Sequence, residues 1–92
     1  MPDSNSRNKE YKVYLLPIVE KELNKLPEKA QEQIYAVIRS LEFPYKIPAI
    51  KMQNEKDTYR TKMGDYRIIY KIYNKEVIVV VIKIGHRKRV YK

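Results

Sequence analysis

The sequence predicts an α+β fold: a small two-layer domain in the order β-α-α-β-β-β, with a mainly antiparallel four-stranded sheet and a helical hairpin on one face. Three observations carry this. Residues 59–91 read YRTKMGDYRIIYKIYNKEVIVVVIKIGHRKRVY, where Gly64-Asp65 and Asn74-Lys75 are each a two-residue pair between β-branched and aromatic runs, the spacing of tight hairpin turns. Residues 18–41 instead repeat apolar positions at intervals of three and four, the period of a helix buried on one side. At 92 residues the chain can bury only one core, enough for a few helices on one sheet.

Met1 to Glu10 is polar and without periodicity, which predicts a flexible arm and leaves 11–92 as a single domain. Tyr11 to Leu16 is a short apolar run stopped by Pro17, hence a strand. Val19, Leu23 and Leu26 then mark a first helix, with Pro17 in the first turn, where its missing N–H has no partner to lose. Pro27 opens a second helix in the same way, with Ala30, Ile34, Val37, Ile38 and Leu41 as its stripe. Two short helices cannot cover each other's stripes, so both are expected to lie on the sheet.

Phe43 to Lys56 holds Pro44 and Pro48 and has no period, which predicts a loop. Val77 to Ile82 is apolar at every position, the pattern of a strand covered on both faces and flanked on both edges. The first strand is therefore placed beside it, leaving Thr58 to Met63 at an edge.

If both turns are two-residue loops, Met63 faces Tyr66, Lys62 faces Arg67 and Tyr73 faces Glu76. Alternation then sorts the side chains. Tyr59, Thr61, Met63, Tyr66, Ile68, Tyr70, Ile72, Val77, Val79 and Val81 form a face that can be buried, with the aromatics on it. Arg60, Lys62, Arg67 and Lys71 share the other face with an apolar floor of Ile69, Ile78, Val80, Ile82 and Ile84. Like charges directly opposite on paired strands destabilise a sheet, so Lys62 against Arg67 has no folding rationale and predicts an anionic ligand. Further basic side chains follow at His86, Arg87, Lys88 and Arg89.

The formal net charge of +9 and pI near 9.7 also call for a polyanion or an acidic protein as partner. No apolar run reaches the roughly 18 residues of a membrane span, and the polar start has no signal-peptide core, so a cytoplasmic protein without membrane contact is expected. The absence of cysteine excludes disulfides and thiolate chemistry, and one histidine without a carboxylate grouping argues against a metal site. No cofactor is expected. The two glycines, Gly64 and Gly85, leave no phosphate-cradling loop.

The run Y-R-T-K, then G-D-Y-R-I-I-Y, a valine-rich strand and G-H-R-K-R-V-Y resembles the carboxy-terminal half of the RelE toxin family, in the RelE/ParE superfamily of toxin–antitoxin systems. The likeness in layout runs from about Tyr11 to Tyr91. It implies a metal-independent, ribosome-dependent messenger-RNA endonuclease, in which the ribose 2′-hydroxyl attacks its own phosphate. By motif position it implies Lys62 as general base, Arg67 and Arg60 as phosphate clamps, Arg87 as transition-state stabiliser or acid, and Tyr91 as a stacking or orienting group. Lys71, Lys88 and Arg89 would add phosphate contacts. His86 is the better acid or base by intrinsic chemistry, and its role stays open.

The implied partners are a cognate acidic antitoxin of the RelB kind, messenger RNA on the ribosome, and operator DNA only through the antitoxin complex. The chain ends one residue after Tyr91, so the longer carboxy-terminal helix of some relatives is expected to be missing. Two other classes fit less well. A ParE-like toxin acting by protein contact with DNA gyrase generally lacks these cations and the terminal tyrosine. A plain RNA-binding module would show stacking aromatics on its open face, where the predicted sheet turns them inward.

Overall fold

A computed structural model describes residues 9–86. Arg87, Lys88, Arg89 and Tyr91 lie outside the described residues, as does most of the predicted arm. Strand β1 (Lys12–Leu15) leads into helices α1 (Pro17–Asn24) and α2 (Glu28–Ser40), a 3-10 turn (Pro44–Lys46), and strands β2 (Ile50–Lys51), β3 (Thr58–Met63), β4 (Tyr66–Tyr73) and β5 (Ile78–His86). The sheet order is β1-β5-β4-β3-β2. The α+β class and the helical hairpin are as predicted, but the sheet has five strands and is mixed, because β1 runs parallel to β5.

The prolines set the helix starts. The Leu16 carbonyl, just ahead of Pro17, accepts from the Val19 N–H at 2.9 Å, and the Pro27 carbonyl accepts from the Gln31 N–H at 3.0 Å. Val19 and Leu23 of α1, with Ile34, Ile38 and Leu41 of α2 and its end, pack on Ile68, Tyr70, Ile72, Val79 and Val81. Each fully buried aliphatic side chain contributes about 1.5–3 kcal/mol, so this layer holds the helices down.

Strand β5 is flanked on both edges, as expected, but is covered on one face only. Val79 and Val81 are fully buried, whereas Ile78, Val80 and Ile82 remain half-exposed on the side that carries no helix. Strand β3 is not an edge either. Ile50 pairs with Arg60 and Lys51 with Tyr59, and the Met52 N–H donates to the Thr58 carbonyl at 2.8 Å. Two residues are too few to leave a period-two signal, so β2 was invisible within its loop.

The first hairpin closes as predicted, with Met63 opposite Tyr66 and Lys62 opposite Arg67. Gly64 has φ of 61°, the positive value that a two-residue loop demands at its first position. The second hairpin differs. Tyr73 pairs with Ile78 rather than Glu76, so the loop has four residues, 74–77. Tertiary contacts hold it open: Asn74 Oδ1 accepts from the Tyr11 hydroxyl at 2.6 Å and the Tyr45 hydroxyl at 2.9 Å, and the Val77 carbonyl accepts from the Lys12 N–H at 3.1 Å. Val77 takes φ of 58°, which for a β-branched residue costs about 1–3 kcal/mol.

That slip is two residues long and leaves the alternation intact. A β-bulge then reverses it. Tyr70 faces Val81 and Ile69 faces Lys83, so Ile82 has no partner of its own on β4. Beyond the bulge Ile84 and His86 turn to the helix side, and Lys83 and Gly85 to the open side. Ile84, expected on the open floor, is thus part of the core at 8% exposure. No helix among the described residues is long and apolar enough to cross a membrane.

Candidate nucleic-acid interface

Strands β3 and β4 bring three of the predicted cations together. Lys62–Arg67 is the first pair inside the turn-closing pair Met63–Tyr66, which makes it the non-hydrogen-bonded kind, with Cα atoms about 4.5 Å apart and side chains close. Arg60 lies opposite Ile69, diagonal to Arg67. Burial separates their roles: Lys62 is exposed, Arg60 is half-buried, and Arg67 keeps 8% of its surface.

The three line a cleft of about 430 Å³ whose second wall is the segment 48–50. The Thr61 hydroxyl pins that wall by donating to the Pro48 carbonyl at 2.9 Å. Ile50, at its rim, is 58% exposed. Sequence reasoning missed this wall because it assigned the segment to a featureless loop.

The remaining predicted residues are spread out. Lys71 lies four positions from Arg67 on the same face of β4, about 13 Å along the strand, with its ammonium 5.4 Å from the centre of the Tyr73 ring. His86 is on the opposite side of the sheet from Lys62. It meets the Tyr66 ring edge-on, with centroids 5.3 Å apart and planes at 89°, and lines a cleft of about 290 Å³ beside Ile18, Glu22 and Leu26 of α1 and its end. Lys83, a cation not singled out from the sequence, reaches the open face because of the bulge. Arg87, Lys88, Arg89 and Tyr91 are outside the described residues.

The aromatics are divided too. Tyr59 and Tyr70 stack on the helix side, centroids 5.9 Å apart at 18°. Burial, then the neighbouring Tyr59 and Tyr45, push the Tyr70 hydroxyl up to about 12. Burial and the adjacent Tyr45 likewise raise Tyr11. Tyr14 and Tyr73, by contrast, stand on the open face at 50% and 37% exposure, so that face is not free of aromatics as the sequence had led us to expect.

Chemically, a buried guanidinium beside a half-buried one offers rigid paired donors for a phosphate. The exposed Lys62 amine, opposite Arg67 and two residues from Arg60, places a nitrogen at the same cleft.

A family model described as the ParE toxin of the type II toxin–antitoxin system, parDE, matches residues 13–91. The mRNA interferase toxin RelE of Escherichia coli is 35% identical over 72 residues, 75% of each chain. Among solved structures, the archaeal RelE–RelB complex from Pyrococcus horikoshii matches with a TM-score of 0.75 at 29% identity, covering 87% of this chain and 98% of that one. The intact E. coli RelBE toxin–antitoxin complex matches with a TM-score of 0.69 at 26% identity, covering 83% and 95%.

Proposed function

The chain belongs to the ParE toxin family of type II toxin–antitoxin systems, in the RelE/ParE superfamily, and from that premise we propose that it is an mRNA interferase, cutting messenger RNA on the ribosome in the cytoplasm. The observation that carries this reading is the facing pair Lys62 and Arg67, with Arg60 beside them, in a cleft on the uncovered side of the sheet.

Cleavage through the 2′-hydroxyl needs a base on that oxygen, cations on the phosphoryl charge that builds up, and an acid on the departing 5′-oxygen. Lys62 is the base: it is exposed at the cleft, directly opposite Arg67 and on the same strand as Arg60. Arg67 and Arg60 clamp the non-bridging oxygens, Arg67 from a fixed, buried position. The acid falls to Arg87 by resemblance, with Tyr91 stacking or orienting the substrate, since His86 lies across the sheet from the cluster. The products are a 2′,3′-cyclic phosphate and a 5′-hydroxyl, and the chemistry is supplied by side chains without a metal.

An acidic antitoxin is the natural inhibitor. The solved relatives from P. horikoshii and E. coli are complexes of RelE with RelB, and an acidic segment over Arg60, Lys62 and Arg67 would neutralise cations that repel one another. Contact with operator DNA would come through that complex.

The name of the matching family model favours one other reading, a ParE-like toxin that acts on DNA gyrase by protein contact. The cation cluster and the RelE relative at 35% identity support cleavage over it. Primer extension on transcripts after induction, with and without a block on translation, separates the two. Cuts inside reading frames that vanish under the block are the expected result. Gyrase-linked DNA breaks with intact transcripts would overturn the reading.

A further inference from the structure

The geometry points to a second, base-stacking subsite for single-stranded RNA on the open face, formed by Tyr14 and Tyr73 over a floor of Ile78 and Val80, with Lys12 and Lys71 on its rim. It rests on the proposed RNA substrate and names where a part of that RNA away from the cut would lie.

Two rows of the sheet define it. Tyr14 of β1 pairs with Val80 of β5, which pairs with Lys71 of β4; one step along, Lys12 pairs with Ile78, and Ile78 with Tyr73. The tyrosines therefore stand two strands apart and one row along, about 12 Å on the diagonal, with two half-exposed aliphatic side chains between them. A sheet with one wet face normally puts polar residues on it. Here that face carries Tyr14 at 50% exposure and Tyr73 at 37% on an apolar floor, and among the described residues no helix lies over it.

Charge identifies the occupant. Both rims are lysine, Lys71 already rests over the Tyr73 ring at 5.4 Å, and neither row holds an acidic side chain. Aromatic rings on a basic, uncovered strand surface take nucleobases by stacking, with little regard to sequence because every base has a π face. The strand must be single, since a duplex hides those faces. Lys71 lies on the same face of β4 as Arg67, about 13 Å from it, so a chain with its scissile phosphate at Arg67 reaches the tyrosines within a few nucleotides.

The test compares affinities of the purified full chain for two RNAs, one just long enough to span the Arg60–Lys62–Arg67 cleft and one extended at both ends. Wild type should bind the longer strand about tenfold or more tightly than the shorter, the gain from stacked bases. The double variant Tyr14→Ala/Tyr73→Ala should lose that gain while Tyr14→Phe/Tyr73→Phe keeps it, with thermal melts confirming that both fold. An undiminished gain in the alanine variant, an equal loss in the phenylalanine variant, or an equal gain with a duplex of the longer strand would overturn the subsite. So would an alanine variant that loses affinity only for an acidic antitoxin peptide, which would make the face a protein-docking surface. Stacking gain without transcript cleavage in cells would instead fail the mRNA interferase reading and leave the subsite standing.

Discussion

Lys62 and Arg67 face each other across the first hairpin, and Arg67, the less exposed of the two, is buried to 8% of its surface. A sheet gains nothing from that juxtaposition, and the stem of Arg67 is the part that serves packing. Substitution separates the two functions of the side chain. Arg67→Met, which keeps a stem and removes the charge, should fold and melt closer to wild type than a variant without the stem. Arg67→Ala should melt lower. Single-turnover cleavage on ribosomes should fall about a hundredfold or more in both, as when one transition-state donor is lost. Full activity in Arg67→Met would remove Arg67 from the mechanism.

In the proposed mechanism the nucleophile is the substrate's own hydroxyl. Replacing the ribose at the cut site by deoxyribose should therefore abolish cleavage and leave binding nearly intact, because the phosphate charge is unchanged. Cutting of the deoxy substrate, read in the same single-turnover assay, would exclude 2′-attack.

A ribosome that holds the phosphate in line can contribute about 7–11 kcal/mol through orientation alone. Naked RNA should accordingly be cut far more slowly than ribosome-bound message. Rates measured on the two substrates at equal enzyme concentration check this, and comparable rates would contradict a scaffold role.

Local chemistry made much of this legible in the sequence. Pro17 and Pro27 mark helix starts because a missing N–H is harmless there, and Gly64 marks a turn that needs positive φ, so both helices and the Lys62–Arg67 register could be read directly. The second hairpin could not, because its four-residue loop depends on Tyr11 and Tyr45, remote in sequence, reaching Asn74. The bulge at Ile82 has no glycine or turn residue to announce it, and it alone decides that His86 and Ile84 face the helices while Lys83 faces out. The wall at 48–50 and the exposure of Tyr14 likewise follow from which strands become neighbours, which local pattern does not encode.

The Tyr70 hydroxyl is buried without a hydrogen-bond partner among the described residues. Its pKa is raised to about 12 from 10.0, so between those values the unfolded chain gives up its proton more readily than the folded one. Stability from this group is complete below about pH 10 and is lost as pH rises toward 12. Tyr70→Phe should stabilise the fold by about 1 kcal/mol at neutral pH, by removing an unsatisfied buried hydroxyl, and should flatten the alkaline fall. Urea melts at neutral pH and above pH 10 would show both effects; an unchanged alkaline slope would mean that another group titrates there.

The last prediction concerns the junction that sets the second hairpin. Asn74 Oδ1 accepts from Tyr11, which is 3% exposed, and from Tyr45, at 2.6 and 2.9 Å. Asn74→Ala leaves the Tyr11 hydroxyl buried without its acceptor, a loss of about 1–3 kcal/mol. Tyr11→Phe removes the donor as well as the need for it and should cost less. The double variant Asn74→Ala/Tyr11→Phe should therefore be more stable than the sum of the single losses implies, a coupling of about 0.5 kcal/mol or more between groups in contact. Asn74→Asp, which keeps an acceptor oxygen, should recover most of the loss. Because the contact lies at the far end of the sheet from the Lys62–Arg67 pair, these variants should lower the melting temperature without changing the single-turnover cleavage rate of the folded protein. Strict additivity in the cycle would show that the hydrogen bond contributes nothing and that the four-residue loop is held by the Lys12–Val77 backbone contact alone, whereas a cleavage rate that falls with each variant would show that the register of the second hairpin reaches the Arg67 end of β4.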